Sequence, residues 1–183
     1  MRANSRYNLK FSGQSMIEVV IGLAITTLLA VALVTTSIYT QKTSRSAKNE
    51  AQASKLAQEL IEQARIFRDR VPSGFAALPS SAGCYTLNSS GADPATWSFS
   101  SALSPCNSPP PVVVPSGAES VILDNVTFAR WVQIPATTGI RRQLRVIVSW
   151  SDSGGTHYVT NETFLANWCG GQVVVSSTPC PSP

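Results

Sequence analysis

Charge is scarce in this chain. Lysine, arginine, aspartate and glutamate make up 13% of its 183 residues, roughly half the share usual in a soluble domain. Histidine occurs once, as His157, and no CxxC pair is present, so no zinc-type ligand spacing is available and neither a metal nor a cofactor is expected. His157 and Asp152 have serines nearby, but nothing resembles a nucleophile elbow, and no acid, base and nucleophile stand out together. An enzyme is therefore not expected. No internal repeat is visible, which excludes a solenoid. Neither proline nor glycine falls between Leu23 and Val71, and Val19 to Ile38 carries no charge at all.

What charge there is lies unevenly. The formal total is +4. Arg2, Arg6 and Lys10 precede the apolar run with no acid among them, and Glu18 then stands alone. Residues 42–70 carry seven bases against four acids, whereas the chain from Phe75 onward carries four arginines against five acids. A pI of about 9.1 thus reflects positive charge beside the apolar run, where it acts as an orientation signal, and does not mark a nucleic-acid-binding head.

The uncharged run is VVIGLAITTLLAVALVTTSI, Val19 to Ile38. A helix of that length spans about 30 Å, the thickness of a bilayer core. It exceeds the usual apolar core of a cleaved signal peptide, and no small-residue cleavage site follows it, so it reads as an anchor that is retained. From Lys42 to Arg70 the helical period continues in polar form. Ala53, Leu56, Ala57, Leu60, Ile61, Ala64 and Phe67 recur at spacings of three and four, which makes one apolar stripe suited to packing on a sheet. Val71-Pro72-Ser73-Gly74 ends the pattern. One helix from near Gln14 to about Arg70 is expected, about 85 Å long at the standard rise.

Beyond it the chain changes character. Residues 75–117 are rich in Ser, Pro, Ala and Gly and read as a long irregular connection. Strand signals follow at Val121–Leu123, Thr127–Ile134, Arg141–Trp150 and Thr156–Leu165, the last two joined by the turn residues Ser151 to Gly155. A final short strand is expected at Val173–Val175. Cys84, Cys106, Cys169 and Cys180 all lie in this half; an even number behind a membrane segment suggests two disulfides in an oxidising compartment. Three connectivities are open, with Cys84–Cys106 and Cys169–Cys180 favoured because they close local loops. The fold class expected is α+β: a long N-terminal helix packed on a small antiparallel sheet of three to five strands.

Ser12-Gly13-Gln14-Ser15-Met16-Ile17-Glu18-Val19-Val20 resembles the processing site of type IV prepilins and type II secretion pseudopilins. The resemblance implies a basic leader, residues 1–13, that a membrane prepilin peptidase removes after Gly13. Gln14 becomes the new N-terminus, a target for N-methylation, and Glu18 becomes the fifth residue of the mature chain. It further implies a transmembrane and filament-core helix at 14–41, an amphipathic continuation at 42–70 and a disulfide-bearing β-rich head at 71–183. Implied partners are other pilin subunits, the peptidase, an inner-membrane assembly platform and membrane lipid. The implied location is the cytoplasmic membrane with the head outside it, then a surface pilus or a pseudopilus. No proline interrupts the apolar helix, which leans toward a minor pilin or pseudopilin. Physics agrees on Glu18, since an ionisable residue in a membrane segment is costly and marks function, while a paired charge is tolerated there. The rival reading is a single-span protein whose extracytoplasmic β domain binds a ligand or partner without polymerising.

Other residues carry weaker signals. Arg141, Arg142 and Arg145 form the one basic cluster in the head, near Trp131 and Trp150, an arrangement that suits single-stranded DNA or another anion; a solvated strand start is the favoured reading. Asp124, Asp152 and Ser153 are too few for a confident calcium site. Trp97 and Trp168 complete the tryptophans and read as core or sheet-face residues. Asn88, Asn125 and Asn161 open sequons of a kind that recurs by chance.

Overall fold

The computed structural model describes residues 14–78, 81–100, 102–106, 113–136, 141–152, 154–166, 168–169 and 172–173. The chain divides into two compact units, Met1–Ala47 and Lys48–Pro183. A single helix, α1 (Gln14–Arg70, 57 residues), contributes to both. In the first unit it is long and apolar enough to cross a membrane, and none of its most apolar window is buried by the rest of the chain. Its threonines spend their hydroxyls locally: Thr26, Thr27, Thr35, Thr36 and Thr40 each donate to a carbonyl three or four residues back. Such back-bonding satisfies a polar group without water.

In the second unit, residues 48–70 of α1 pack on an antiparallel sheet, as the apolar stripe predicts. All seven stripe residues are buried, and Ala53, Ala57 and Ala64 are fully inaccessible. Those alanines lie in one core with Leu56, Leu60 and Phe67, which fill the space between helix and sheet. Burying a side chain such as Leu60 contributes about 1.5–3 kcal/mol.

A short helix α2 (Pro72–Ala76) follows, then β1 (Gly83–Tyr85), β2 (Leu87–Asn88), β3 (Ser98–Phe99), β4 (Glu119–Leu123), β5 (Val126–Ile134), β6 (Arg141–Asp152), β7 (Gly155–Ala166), β8 (Trp168–Cys169) and β9 (Gln172–Val173). The main sheet has five strands in the order β1-β5-β6-β7, with β4 also paired to β5. Because β6 occupies one edge of β5, β4 and β1 share the other, pairing with Val126–Arg130 and Val132–Ile134 in turn. The chain turns between β4 and β5 at Asp124 and Asn125, both with positive φ, the backbone that two-residue hairpins require. Between β6 and β7, Asp152 Oδ1 accepts the Gly154 N–H at 2.7 Å, and Gly155 takes a φ of 122° that disfavours a side chain.

Alternation along β5 and β6 sorts their side chains. Phe128, Val132, Ile134, Leu144, Val146, Val148 and Trp150 join the helix stripe in one core. On the opposite face Trp131 and Ile147 are buried with Cys84, under Leu103, Cys106 and Ala118. Around β5 and the middle of β6 the sheet is therefore covered on both sides, by the helix on one face and by the disulfide loop on the other, whereas Tyr158 and Phe164 on β7 stay exposed.

Residues 75–117, expected to be irregular, contain β1, β2, β3 and a 3-10 turn at Pro94–Thr96. Strands of two or three residues are too short to show a period. They form because long-range partners select them: Gly83, Cys84 and Tyr85 pair with Ile134, Gln133 and Val132. The final strand expected at Val173–Val175 is represented by β9, which ends at Val173; Val174 and Val175 lie outside the described residues.

Candidate functional site

Glu18 sits one turn into α1 and is exposed, with Ile17, Val19 and Val20 exposed around it. The next charged groups along the helix are Lys42 and Arg45. Tyr39 closes the apolar run and is also exposed. Gly13 lies outside the described residues, and Gln14 is the first residue of the helix. The geometry here is that of one carboxylate on an apolar cylinder, with no ion pair to Glu18 among the described residues.

Within the head, Cys84 and Cys106 form a disulfide, with Cα atoms 5.5 Å apart. This is one of the two favoured local pairings. It ties β1 to the loop that covers Trp131 and Ile147, and closing a loop of that length is worth about 3 kcal/mol in the chain-entropy description. Cys169 lies in β8, and Cys180 is outside the described residues.

The three candidate arginines are not brought together as a free cluster. Arg145 sits mid-ladder: its Nε donates to Glu162 Oε1 at 2.6 Å and its Nη1 to Gln133 Oε1 at 3.2 Å. Glu162 also accepts from Gln143, so the group is a cross-strand network. Arg141 is exposed and Arg142 half-buried at the start of β6, and neither side chain makes a hydrogen bond or ion pair among the described residues.

Asp124 and Asp152, the calcium candidates, lie on different turns and are each engaged. Asp124 Oδ2 accepts from Lys48 Nζ and Gln52 Nε2, both at 2.7 Å. Those bonds hold its carboxyl below the ordinary value. Asp152 is likewise held low, first by the Gly154 N–H, which burial opposes, and then by His157. His157 Nε2 lies 3.0 Å from Asp152 Oδ1, and its ring stacks on Trp150 at 5.6 Å. Ser153 lies outside the described residues. Among the described residues no group of three or more His, Cys, Asp or Glu is placed to hold a metal. The sequon residues Asn88 and Asn125 are exposed, and Asn161 is half-buried in β7.

One charged centre escaped sequence reasoning. Arg130, only 5% exposed, donates through Nε and Nη2 to both oxygens of Glu119 at 2.8 Å and reaches Glu59 of α1 at 3.4 Å. Burial pushes its pKa down, but the Glu119 hydrogen bonds and the two carboxylate charges outweigh this, and the net direction is upward. The centre joins helix, β4 and β5. The alternation of β5 around Arg130 was its only sequence signal, and the partners become neighbours only through the Glu119–Arg130 register. None of the protein-family models, curated proteins and solved structures compared with this chain matches it.

Proposed function

We propose that the chain is a non-enzymatic subunit of a type IV pilus or pseudopilus-like filament, of the minor-pilin kind. Prepilin peptidase cuts after Gly13, and the helix from Gln14 holds the protein in the cytoplasmic membrane with the head on the extracytoplasmic side. The assembly platform then passes it into a bundle of like helices. Stacking exchanges lipid for the apolar faces of neighbouring subunits, so one segment serves as anchor and as polymer core. Glu18 of one subunit meets the Gln14 amine of another and sets their axial register.

The observation that carries this reading is Glu18: a lone carboxylate, five residues after Gly13, on an otherwise uncharged helical run that ends at Ile38. A charge in such a setting needs a partner, and a neighbouring subunit's amine supplies one. The α+β head and the Cys84–Cys106 disulfide support an oxidising, extracytoplasmic location. The membrane-anchored β domain that never polymerises needs neither cleavage at Gly13 nor a role for Glu18.

Mass spectrometry of the membrane-extracted protein tests the proposal. We expect a chain beginning at Gln14, and Glu18→Ala is expected to preserve that cut while lowering filament incorporation at least about tenfold, the loss of a single charge-assisted contact. An intact Met1 end removes the proposal. Normal incorporation of the Glu18→Ala protein removes the pairing mechanism.

A further inference from the structure

Within the first unit an open groove of about 600 Å³ runs along α1, from Leu33 past Thr36, Ser37 and Thr40 to Ser44 and Arg45. We propose that it seats an acidic phospholipid, whose phosphate is held by Arg45 and Lys42. The proposal rests on the reading of this helix as a membrane anchor and does not depend on polymerisation.

The groove changes chemistry along its length in the order a phospholipid does. One end is Leu33, 72% exposed, inside the uncharged run that stops at Ile38. Ser37, Thr40 and Ser44 follow at spacings of three and four, which keeps them on one helix face. Thr36 and Thr40 donate their O–H groups to backbone carbonyls. The hydroxyls of Ser37 and Ser44 donate to nothing among the described residues, so they are left for outside acceptors such as the ester and phosphate oxygens of a lipid.

The other end is cationic. Arg45 lines it, and Lys42, three residues earlier, is a neighbour on the helix surface. Both are exposed, and neither side chain makes a hydrogen bond or ion pair among the described residues. No acid lies between Glu18 and Glu50. A phosphate therefore meets no repulsion from this stretch, while the ammonium of a zwitterionic lipid finds no counter-ion. That selects a lipid of net negative charge, whose phosphate suits the paired donors of a guanidinium. Depth agrees with charge. At the standard rise Lys42 and Arg45 stand about 6 and 10 Å beyond Ile38, beside a headgroup layer roughly 5–8 Å thick, and their long stems reach back toward it. Tyr39, 73% exposed, marks the boundary at which tyrosine is enriched.

The test places the full chain in phosphatidylcholine vesicles with a trace of spin-labelled phosphatidylglycerol or spin-labelled phosphatidylcholine. Electron paramagnetic resonance reads the fraction of each that the protein immobilises. A preference for phosphatidylglycerol is expected, and Lys42→Gln and Arg45→Gln should each lower it about fivefold. Ser44→Leu, which fills the groove without changing charge, should also lower it, whereas Lys55→Gln, at an exposed base outside the groove, should not. Flotation of the same vesicles separates the two readings. A chain that fails to float overturns the anchor and the site with it; one that floats but holds both lipids equally overturns the site alone. Equal losses from Lys55→Gln and Arg45→Gln, or a preference that survives Ser44→Leu, replace the groove by diffuse charge and overturn it. Loss of the preference to inorganic phosphate, but not to sodium chloride of equal ionic strength, overturns the lipid as occupant.

Discussion

From Met16 to Lys48 every residue of α1 is exposed, although much of that stretch is apolar; from Asn49 to Phe67 the helix is richer in charge, yet one stripe of it is buried. Exposure runs opposite to hydrophobicity. The difference lies in what surrounds each part. The second part has a sheet to pack against, so three or four apolar positions per two turns suffice. The first has no partner among the described residues of its own unit, and its apolar surface is left open. Residue type alone does not report burial; the period of the pattern does.

That contrast can be broken or sharpened experimentally. The largest effect is expected from Phe67→Ala, which should destabilise the head by about 3–5 kcal/mol. Leu28→Ala, an equally apolar site that is 71% exposed, should leave head stability unchanged. Thermal unfolding in nanodiscs, followed by near-UV circular dichroism, distinguishes the two; comparable losses would mean the two parts of the helix are not different in kind. Replacing Cys84 and Cys106 together by alanine comes next. It should cost about 3 kcal/mol and raise proteolysis of the loop over Trp131, because the second face of the sheet loses its tether.

The smallest effect concerns the start of the docked part, where Asp124 holds Lys48 and Gln52. Its pKa is depressed in the folded head below the ordinary value of 3.8. The unfolded chain therefore takes up the proton first as pH falls, and the contribution present at neutral pH is lost below about 3.8. Asp152 adds to the same acid-side loss. Melting curves between neutral pH and pH 2.5 should show a shallower acid slope for Asp124→Asn than for the parent. Identical slopes would remove Asp124 from the acid response.

Much of this was legible beforehand. The helix stripe from Ala53 to Phe67 was visible because its period repeats over several turns. The β6–β7 hairpin was visible because Leu144, Val146, Val148 and Trp150 alternate before a turn rich in serine and glycine. β1 was not visible: its three residues have no pattern of their own and depend on Val132–Ile134. The burial of Trp131 and Ile147 depends on a loop closed by the Cys84–Cys106 bond, and Arg130 depends on cross-strand register. Of the candidate site, Glu18 was evident as a solitary charge.

The two strands that share an edge of β5 have a consequence for how this head can diversify. Residues 86–118 leave that strand through β1 and return to it through β4, so the excursion begins and ends on the same fixed rail. Changes in its length alter the closure entropy only slowly and need not disturb the β5–β6–β7 framework. Trp97 and Phe99 belong to this excursion, whereas Phe67 belongs to the helix. The aromatic surface that this excursion lays against the helix can thus be rewritten by exchanging one segment, with the chassis beneath it left as it is.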